Sequence, residues 1–220
     1  MGDDFGPAAL DYMLSAAAQP FVVLESGQEK IVRNFTGGKK VAFPAPLGNR
    51  KAYRFVLPGQ IFYPQTLGVQ TAVDHLVLDP PWVMGLCATL ARLRLTSALR
   101  IVVVKKGFVR VFVAVGDAYA GQDTYALQVE VKGVGGMARI SLLGRSESDG
   151  TAIGAALMAS ALLEGEVAQA GVWLPEQVID PRQYLARLAD SGLHVSIDAQ
   201  NEFTPSKEKQ GKIRWLKLIL

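Results

Sequence analysis

The feature that most constrains the fold is a pair of alternating stretches joined by a glycine-rich turn. Residues 126–131 alternate apolar and polar side chains, and residues 138–143 return after Gly133, Gly135 and Gly136. Alternation places the apolar side chains on one face of a strand, and glycine permits the tight turn between neighbouring strands. The sequence therefore predicts an antiparallel hairpin in the second half of the chain.

The first half of the chain also predicts strands, but shorter ones. Turn residues such as Ser26-Gly27 and Gly37-Gly38 separate apolar runs of four to five residues. Short runs at this spacing are typical of a meander of hairpins. The predicted strands are residues 21–24, 30–33, 40–43, 52–56 and, more weakly, 72–78.

Caps and prolines predict four helices. Pro7 opens the first helix, which Gln19-Pro20 ends, and Asp-Pro pairs precede the helices at residues 82–95 and 183–189. Proline fits a first helical turn because its missing N–H would have no partner there. The remaining helix, residues 152–163, follows Asp149-Gly150-Thr151, and a last strand follows at 193–197. The predicted class is α+β (mixed α/β), with a mixed, largely antiparallel sheet and helices packed on one face.

Two segments carry less decisive patterns. Residues 99–115 are rich in β-branched side chains, which favours strands, although Ile101, Val104 and Phe108 also fit a helical stripe. The strand interpretation is preferred here. Residues 57–68 predict a long loop, in which Tyr63 and Gln65 could close on a ligand.

The composition excludes several classes of protein. The single cysteine, Cys87, excludes an internal disulfide and a cysteine-based zinc site, and its neighbours predict a buried thiol. No apolar run approaches the ~20 residues of a membrane-spanning helix. The acidic start, Met1-Gly2-Asp3-Asp4, does not resemble a secretory signal. We therefore expect a cytoplasmic protein with no membrane association and no metal site.

The positive charge is concentrated at the end of the chain. The sequence has 23 basic and 20 acidic residues, and the excess comes largely from Lys207, Lys209, Lys212, Arg214 and Lys217. A nucleic-acid partner would require a basic face spread across the fold, so none is expected. We predict one domain over residues 1–200 and a basic tail over 201–220, disordered or forming an edge strand. A membrane-surface or partner-binding role for the tail is the alternative.

Three segments resemble the saccharopine dehydrogenase family. They are residues 6–15 (GPAALDYMLS), residues 150–165 (GTAIGAALMASALLEG) and residues 171–193, which contain the Gly-Val-x-x-Pro-Glu element. The first departs from the family, since Gly-Pro stands for Pro-Gly and Tyr12 stands where histidine is common. The pattern is closer to the bacterial saccharopine-reductase-like branch than to the enzymes of lysine metabolism.

The resemblance implies that this chain is the second domain of an NAD(P)-dependent oxidoreductase. In that family a Rossmann domain binds the dinucleotide, and the second domain supplies substrate-pocket walls and the dimer surface. A dinucleotide site needs a glycine-rich turn between a strand and a helix, whereas residues 133–136 lie between two strands. We therefore expect no cofactor-binding residue here and no activity from this chain alone. The implied partners are a second copy, a Rossmann domain or subunit, and a small-molecule substrate.

Two other functions stay open at this stage. The chain could be a non-catalytic binding or assembly module that dimerises or caps a partner subunit. It could also support hydride transfer in trans with a separate Rossmann protein. The substrate is not determined, because the pocket of such enzymes is divided between two domains; saccharopine-like, carboxyspermidine-like and enoyl compounds all remain open.

Six residues are candidate substrate contacts. Arginine forks bind carboxylates through two parallel hydrogen bonds, and a neutral histidine can relay protons. Asp11 and Tyr12 would approach the interdomain cleft if the resemblance holds. A solvated strand face, a packed histidine and a helix surface are the competing structural interpretations, and no catalytic residue is assigned. The candidates are Asp11, Tyr12, Arg50, Tyr53, Arg54 and His75.

Overall fold

The computed structural model describes residues 7–118, 124–133 and 136–200. The helices are α1 (Pro7–Ala17), α2 (Gly59–Thr66), α3 (Pro81–Arg92), α4 (Val102–Ala118), α5 (Glu147–Leu163), α6 (Pro175–Val178) and α7 (Pro181–Asp190), with a 3-10 helix at Leu95–Arg100. The strands are β1 (Pro20–Glu25), β2 (Gln28–Arg33), β3 (Lys39–Ala42), β4 (Asn49–Arg54), β5 (His75–Leu76), β6 (Thr124–Gly133), β7 (Gly136–Arg145) and β8 (His194–Gln200). The predicted α+β class is confirmed.

The strands are divided among three sheets instead of joining in one. β1 pairs with β2, β3 and β5 flank β4, and β7 lies between β6 and β8. Every one of these pairings is antiparallel. The predicted hairpins are confirmed, but the strand expected over residues 72–78 is limited to His75 and Leu76, and Ala72 makes only an isolated bridge to Leu24.

The hydrophobic core lies in the first half of the chain. α1, α3, α4 and the 3-10 helix pack on one another, and α3 also packs on β4. The rings of Phe35 and Phe55 lie 5.4 Å apart between centroids. Cys87 is buried in this cluster, as the sequence predicts, and burial raises the pKa of its thiol to about 11. The thiol is therefore protonated and unreactive at neutral pH. Other buried members are Leu14, Ala17, Ala18, Tyr53, Leu78, Val83, Met84, Ala91 and Leu99.

The preferred strand interpretation of residues 99–115 is wrong, because they belong to the 3-10 helix and to α4. Phe108, Val109 and Phe112 turn toward the core, and Val103 on another face of the helix is 79% exposed. The β-branched content gave the wrong answer because tertiary packing overrides local propensity. The helical spacing of Ile101, Val104 and Phe108 predicts the helix correctly, whereas the residue types do not.

Residues 57–68 are also not a loop, since most of them form α2. Its start is fixed by tertiary hydrogen bonds: the Gln60 backbone N–H donates to Asp74 Oδ2 at 3.0 Å, and Gln60 Nε2 donates to the Phe55 carbonyl at 3.3 Å. Asp74 is distant from Gln60 in the sequence, and the contact with Phe55 does not follow the spacing of a helix or a strand. The sequence pattern therefore does not predict these hydrogen bonds. Tyr63 and Gln65 therefore lie on a helix and not on a closing loop.

Small residues pack the helices of the second half against its sheet. A Cβ added at Gly150 would overlap the hydroxyl of Tyr125, and the Tyr184 hydroxyl donates to the Gly154 carbonyl at 3.0 Å. α5 begins at Glu147, earlier than predicted, because Ser146 caps it by accepting from the Asp149 N–H. α7 begins at Pro181 behind the Asp180 cap, as the Asp-Pro pair indicates. The predicted tail, residues 201–220, together with Gly6 and Gly135, lies outside the described residues.

Replacement of Gly150 by alanine tests this packing. The added methyl group must displace Tyr125, so we expect Gly150→Ala to lower the free energy of unfolding by about 1–3 kcal/mol. Gly107→Ala is the matched control, because its Cβ meets nothing within 4 Å in α4; it should stabilise by about 0.5–1 kcal/mol. Urea denaturation followed by circular dichroism measures both. An unchanged free energy of unfolding in Gly150→Ala would contradict the close approach of Tyr125 to Gly150.

Candidate functional site

β4 and β5 bring three of the predicted site residues together. The strand register pairs Arg54 with His75 and Tyr53 with Leu76. The turn before β3 permits this arrangement, because a Cβ at Gly37 would lie 2.9 Å from Arg54 Nε, and one at Gly38 would lie 2.7 Å from the Tyr53 ring. Glycine at both positions therefore lets the two side chains lie against the backbone. Tyr53 itself is buried in the core.

Glu25 is the ionic partner of Arg54, and the sequence analysis did not identify it. The Arg54 guanidinium forms a short ion pair with Glu25 Oε1, and Lys30 Nζ contacts Glu25 Oε2 at 2.9 Å. The hydrogen bond from Lys30, with the charges of Arg54 and Lys30, lowers the pKa of the Glu25 carboxyl against the effect of burial. Arg54 Nε is buried without a hydrogen-bond partner. This nitrogen lies against the backbone of Gly37, so this edge of the guanidinium packs on the turn before β3.

His75 is held neutral beside this ion pair. Burial lowers the pKa of its imidazole to about 4, and the positive charges of Lys39 and Arg54 act in the same direction. Hydrogen bonds with the backbone of Val73 and Gly37 oppose this shift. The imidazole is therefore buried and neutral, and a neutral imidazole can donate a hydrogen bond from one ring nitrogen and accept one at the other.

Asp74 precedes His75 and is among the most deeply buried side chains, with 1% of its surface exposed. Its Oδ2 accepts the Gln60 N–H, and the Gln60 Oε1 in turn accepts the Asp74 N–H at 3.4 Å. Burial raises the pKa of the Asp74 carboxyl to about 6, although the hydrogen bond from Gln60 opposes the shift. Asp74 therefore joins α2 to the segment that leads into β5. Ionisation of its buried carboxyl destabilises the folded state.

Charged residues of the third sheet extend the site from the first half into the second. Lys39 on β3 is half-buried, and burial lowers the pKa of its ammonium, while Glu130 opposes this shift and Lys132 and Arg139 add to it. Arg139 contacts Glu130 across β6 and β7 at 3.5 Å, and Arg139 Nε is buried without a partner. We call this group the charged seam: Glu25, Lys39, Arg54, His75, Glu130 and Arg139.

The other predicted site residues lie apart from the charged seam. Asp11 on α1 pairs with Lys105 Nζ of α4 at 2.7 Å, and Tyr12 is 74% exposed. Arg50 lies at the start of β4, where its Nε is 3.3 Å from Asp79 Oδ1. The structure therefore gives Asp11 and Arg50 ionic partners of their own, and brings neither to His75.

Glu176 of the Gly-Val-x-x-Pro-Glu element makes a contact between the two halves of the chain. It lies in the single turn of α6, and its Oε1 accepts the Thr66 hydroxyl at 2.8 Å. This bond joins α2 of the first half to α6 of the second. Burial raises the pKa of the nearby Tyr63 phenol, and Glu176 and Asp74 add to the shift. Tyr63 is therefore a neutral phenol and not a base.

Metal binding and membrane insertion receive no support from the described residues. In those ranges no three His, Cys, Asp or Glu side chains are grouped as metal ligands would be. No helix there has both the length and the apolar content of a membrane span. Comparison with known proteins adds no relative, since no family model and no curated sequence matches this chain.

The buried Asp74 predicts a specific dependence of stability on pH. The folded state raises the pKa of this carboxyl from 3.8 to about 6. Protonated Asp74 therefore stabilises the folded state fully below pH 3.8, and this stabilisation is lost as the pH rises through 6. Asp74→Asn keeps the acceptor for Gln60 and removes the titration. Relative to the wild type, its unfolding free energy should rise by about 2–3 kcal/mol between about pH 4 and pH 7.5.

Asp190→Asn is the control for this experiment, because Asp190 is exposed at the end of α7. Its stability difference from the wild type should stay nearly constant over the same pH range. Denaturation curves at several pH values measure all three proteins. A constant difference for Asp74→Asn as well would show that Asp74 is ionised in the fold without cost.

Proposed function

We propose that this chain is the substrate-side and dimerisation domain of an NAD(P)-dependent oxidoreductase resembling saccharopine dehydrogenase. The observation that carries the proposal is the charged seam, where the buried and neutral His75 lies beside Arg54. In the proposal a Rossmann domain binds the dinucleotide, which accepts or donates the hydride. A cytoplasmic location is part of the same proposal.

The chemistry of the charged seam suits an amino-acid-like substrate. Arg54, Lys39 and Arg139 supply three cations, and two of them retain a buried guanidinium nitrogen without a hydrogen-bond partner. Guanidinium groups bind carboxylates through charge-assisted hydrogen bonds, which orient the substrate. The imidazole of His75 can take up or release the proton that accompanies a change between amine and imine at the reacting nitrogen.

Contacts within the second half explain the residues that carry the family resemblance. Gly150 and Gly154 are small where Tyr125 and Tyr184 approach α5. Arg187 of α7 contacts Glu164 at the end of α5 at 3.3 Å. The small-residue helix α5 and the helix α7 that follows Asp180-Pro181 thus pack on each other, whereas Glu176 of the Pro-Glu element contacts Thr66 of α2.

Exposed apolar side chains supply the surface for dimerisation. Large apolar groups on several elements are more than half exposed, and groups of this kind mark protein interfaces when they are contiguous. We propose that a second copy covers part of this surface and the Rossmann domain another part. The most exposed aliphatic side chains are Val172, Leu163, Val103, Ile31, Ile197 and Leu93.

The same apolar surface favours one alternative function. A non-catalytic assembly module that dimerises or caps a subunit would also need it, but would not need the guanidinium groups and the imidazole of the charged seam. Binding of a carboxylated substrate therefore separates the two functions.

Titration with saccharopine, an amino acid with three carboxylate groups, tests the role of the charged seam. We expect Arg54→Lys to weaken binding about tenfold, because lysine keeps the charge and loses the fork. Arg50→Lys, on the same strand and outside the charged seam, is the matched control and should leave the affinity unchanged. Isothermal titration calorimetry measures both. An equal loss of affinity in Arg54→Lys and Arg50→Lys, or no binding of saccharopine by the wild type, would favour the assembly module.

The domain assignment itself is tested by cofactor titration and by the mass in solution. We expect a stable dimer by light scattering and no calorimetric signal with NADH or NADPH, because the strand–glycine turn–helix motif is expected on another domain. Micromolar binding of either cofactor would contradict the assignment. A monomer that does not associate would contradict the dimerisation role.

A further inference from the structure

A cleft of about 290 Å³ lies where the end of α1, the end of β2 and the 3-10 helix meet. It shares no lining residue with the charged seam. Three arginines from three different segments line it: Arg33 ends β2, Arg94 joins α3 to the 3-10 helix, and Arg100 ends that helix. Thr96 and Ser97 add two hydroxyl groups. Its lining is therefore basic and hydroxylic.

Within the part of the chain that the structure describes, this cleft has no acidic partner. No carboxylate lines it, and in the ranges that the structure describes none of the three arginines forms an ion pair. Arg54, Arg139 and Arg187, by contrast, each contact a glutamate. Like charges that converge on one concavity repel each other and raise the local concentration of anions.

Hydrogen bonds hold the walls of the cleft in place. Arg100 Nη2 donates to Gln19 Oε1 at 2.6 Å, and the Gln19 carbonyl accepts from the buried Asn34 amide at 3.0 Å. Arg94 adopts a left-handed conformation with φ of 61°, and its carbonyl accepts the Ser97 hydroxyl at 3.0 Å. The Arg33 carbonyl accepts the Thr36 hydroxyl at 2.6 Å. The backbone that carries each arginine is thus fixed before any ligand binds.

We infer that this cleft binds a small oxyanion, the phosphate or carboxylate group of a free metabolite. Guanidinium forks match both groups geometrically, and the Thr96 hydroxyl can donate to a further oxygen, whereas the Ser97 hydroxyl already donates to the Arg94 carbonyl. The volume lies at the lower end of the range for ligand sites, which favours a small ligand over a nucleotide. The site is separate from the proposed substrate contacts and would serve as a second, regulatory or anchoring position.

Calorimetric titration with pyrophosphate and with citrate tests the inference. The comparison of the two probes also distinguishes a phosphate ligand from a carboxylate ligand. We expect at least one probe to bind with a Kd below about 1 mM at low ionic strength, and the affinity to fall as salt is added. Tighter binding of pyrophosphate identifies a phosphate ligand, and tighter binding of citrate a carboxylate. Failure of both probes to bind overturns the inference.

Three variants locate the binding. Arg33→Gln, Arg94→Asn and Arg100→Gln should each weaken the better probe about tenfold, since each removes charged hydrogen bonds. Asparagine is chosen at Arg94 because it tolerates the left-handed backbone. Arg110→Gln, an exposed arginine of α4 outside the cleft, is the matched control and should retain the affinity.

The outcomes also separate this site from the charged seam. Arg54→Lys should leave pyrophosphate and citrate binding unchanged while it weakens saccharopine binding. A loss shared equally by Arg54→Lys, Arg110→Gln and the cleft variants would show diffuse ion binding and overturn the inference. If Arg100→Gln unfolds because its bond to Gln19 is lost, Arg33→Gln still decides the question, as its side chain is exposed on β2.

Discussion

One buried amide connects the parts of the first half. Asn34, with 1% of its surface exposed, donates from Nδ2 to the carbonyls of Ala16 and Gln19, and its Oδ1 accepts the Val56 N–H at 2.8 Å. Three segments are therefore joined by one side chain: the end of α1, the entry to β1 and the exit from β4. A buried amide of this kind is stable only when all its groups are paired, which fixes the geometry of its partners.

Both candidate sites depend on this geometry. The Gln19 carbonyl accepts a hydrogen bond from Asn34, and the Gln19 side chain accepts one from Arg100. The buried amide of Asn34 therefore helps to position the wall of the arginine-lined cleft. On the other side, the exit from β4 leads directly from Arg54 of the charged seam. Buried hydrogen bonds thus place exposed or half-exposed charges, which would otherwise be free to adopt many positions.

Burial also determines the electrostatics of the segment around β5. Asp74 and His75 are neighbours in sequence, and burial disfavours the charged form of both, which raises the pKa of the acid and lowers that of the base. Their effects on stability therefore run in opposite directions with pH: Asp74 stabilises the fold toward low pH, and His75 loses its contribution as the pH falls from 6.5 toward 4. The neutral imidazole is thus a consequence of the fold and not of its sequence neighbours.

The sequence by itself determined the features that local interactions control. The hairpin across residues 126–143, the helix start at Asp180-Pro181 and the buried Cys87 follow from alternation, capping and apolar spacing. The α+β class follows from the order of these elements. Arg54 and His75 were identified as candidates from their residue types alone.

Only the tertiary structure decided which candidates meet and which elements form where local signals conflict. α4 became a helix because one of its faces packs against α1 and the core, although its residues favour strands. Arg54 lies beside Glu25 and His75, and Arg33 lines one cleft with Arg94 and Arg100, across separations of tens of residues. Such contacts leave no periodic trace in a sequence, because they depend on how distant segments are brought together in the folded chain.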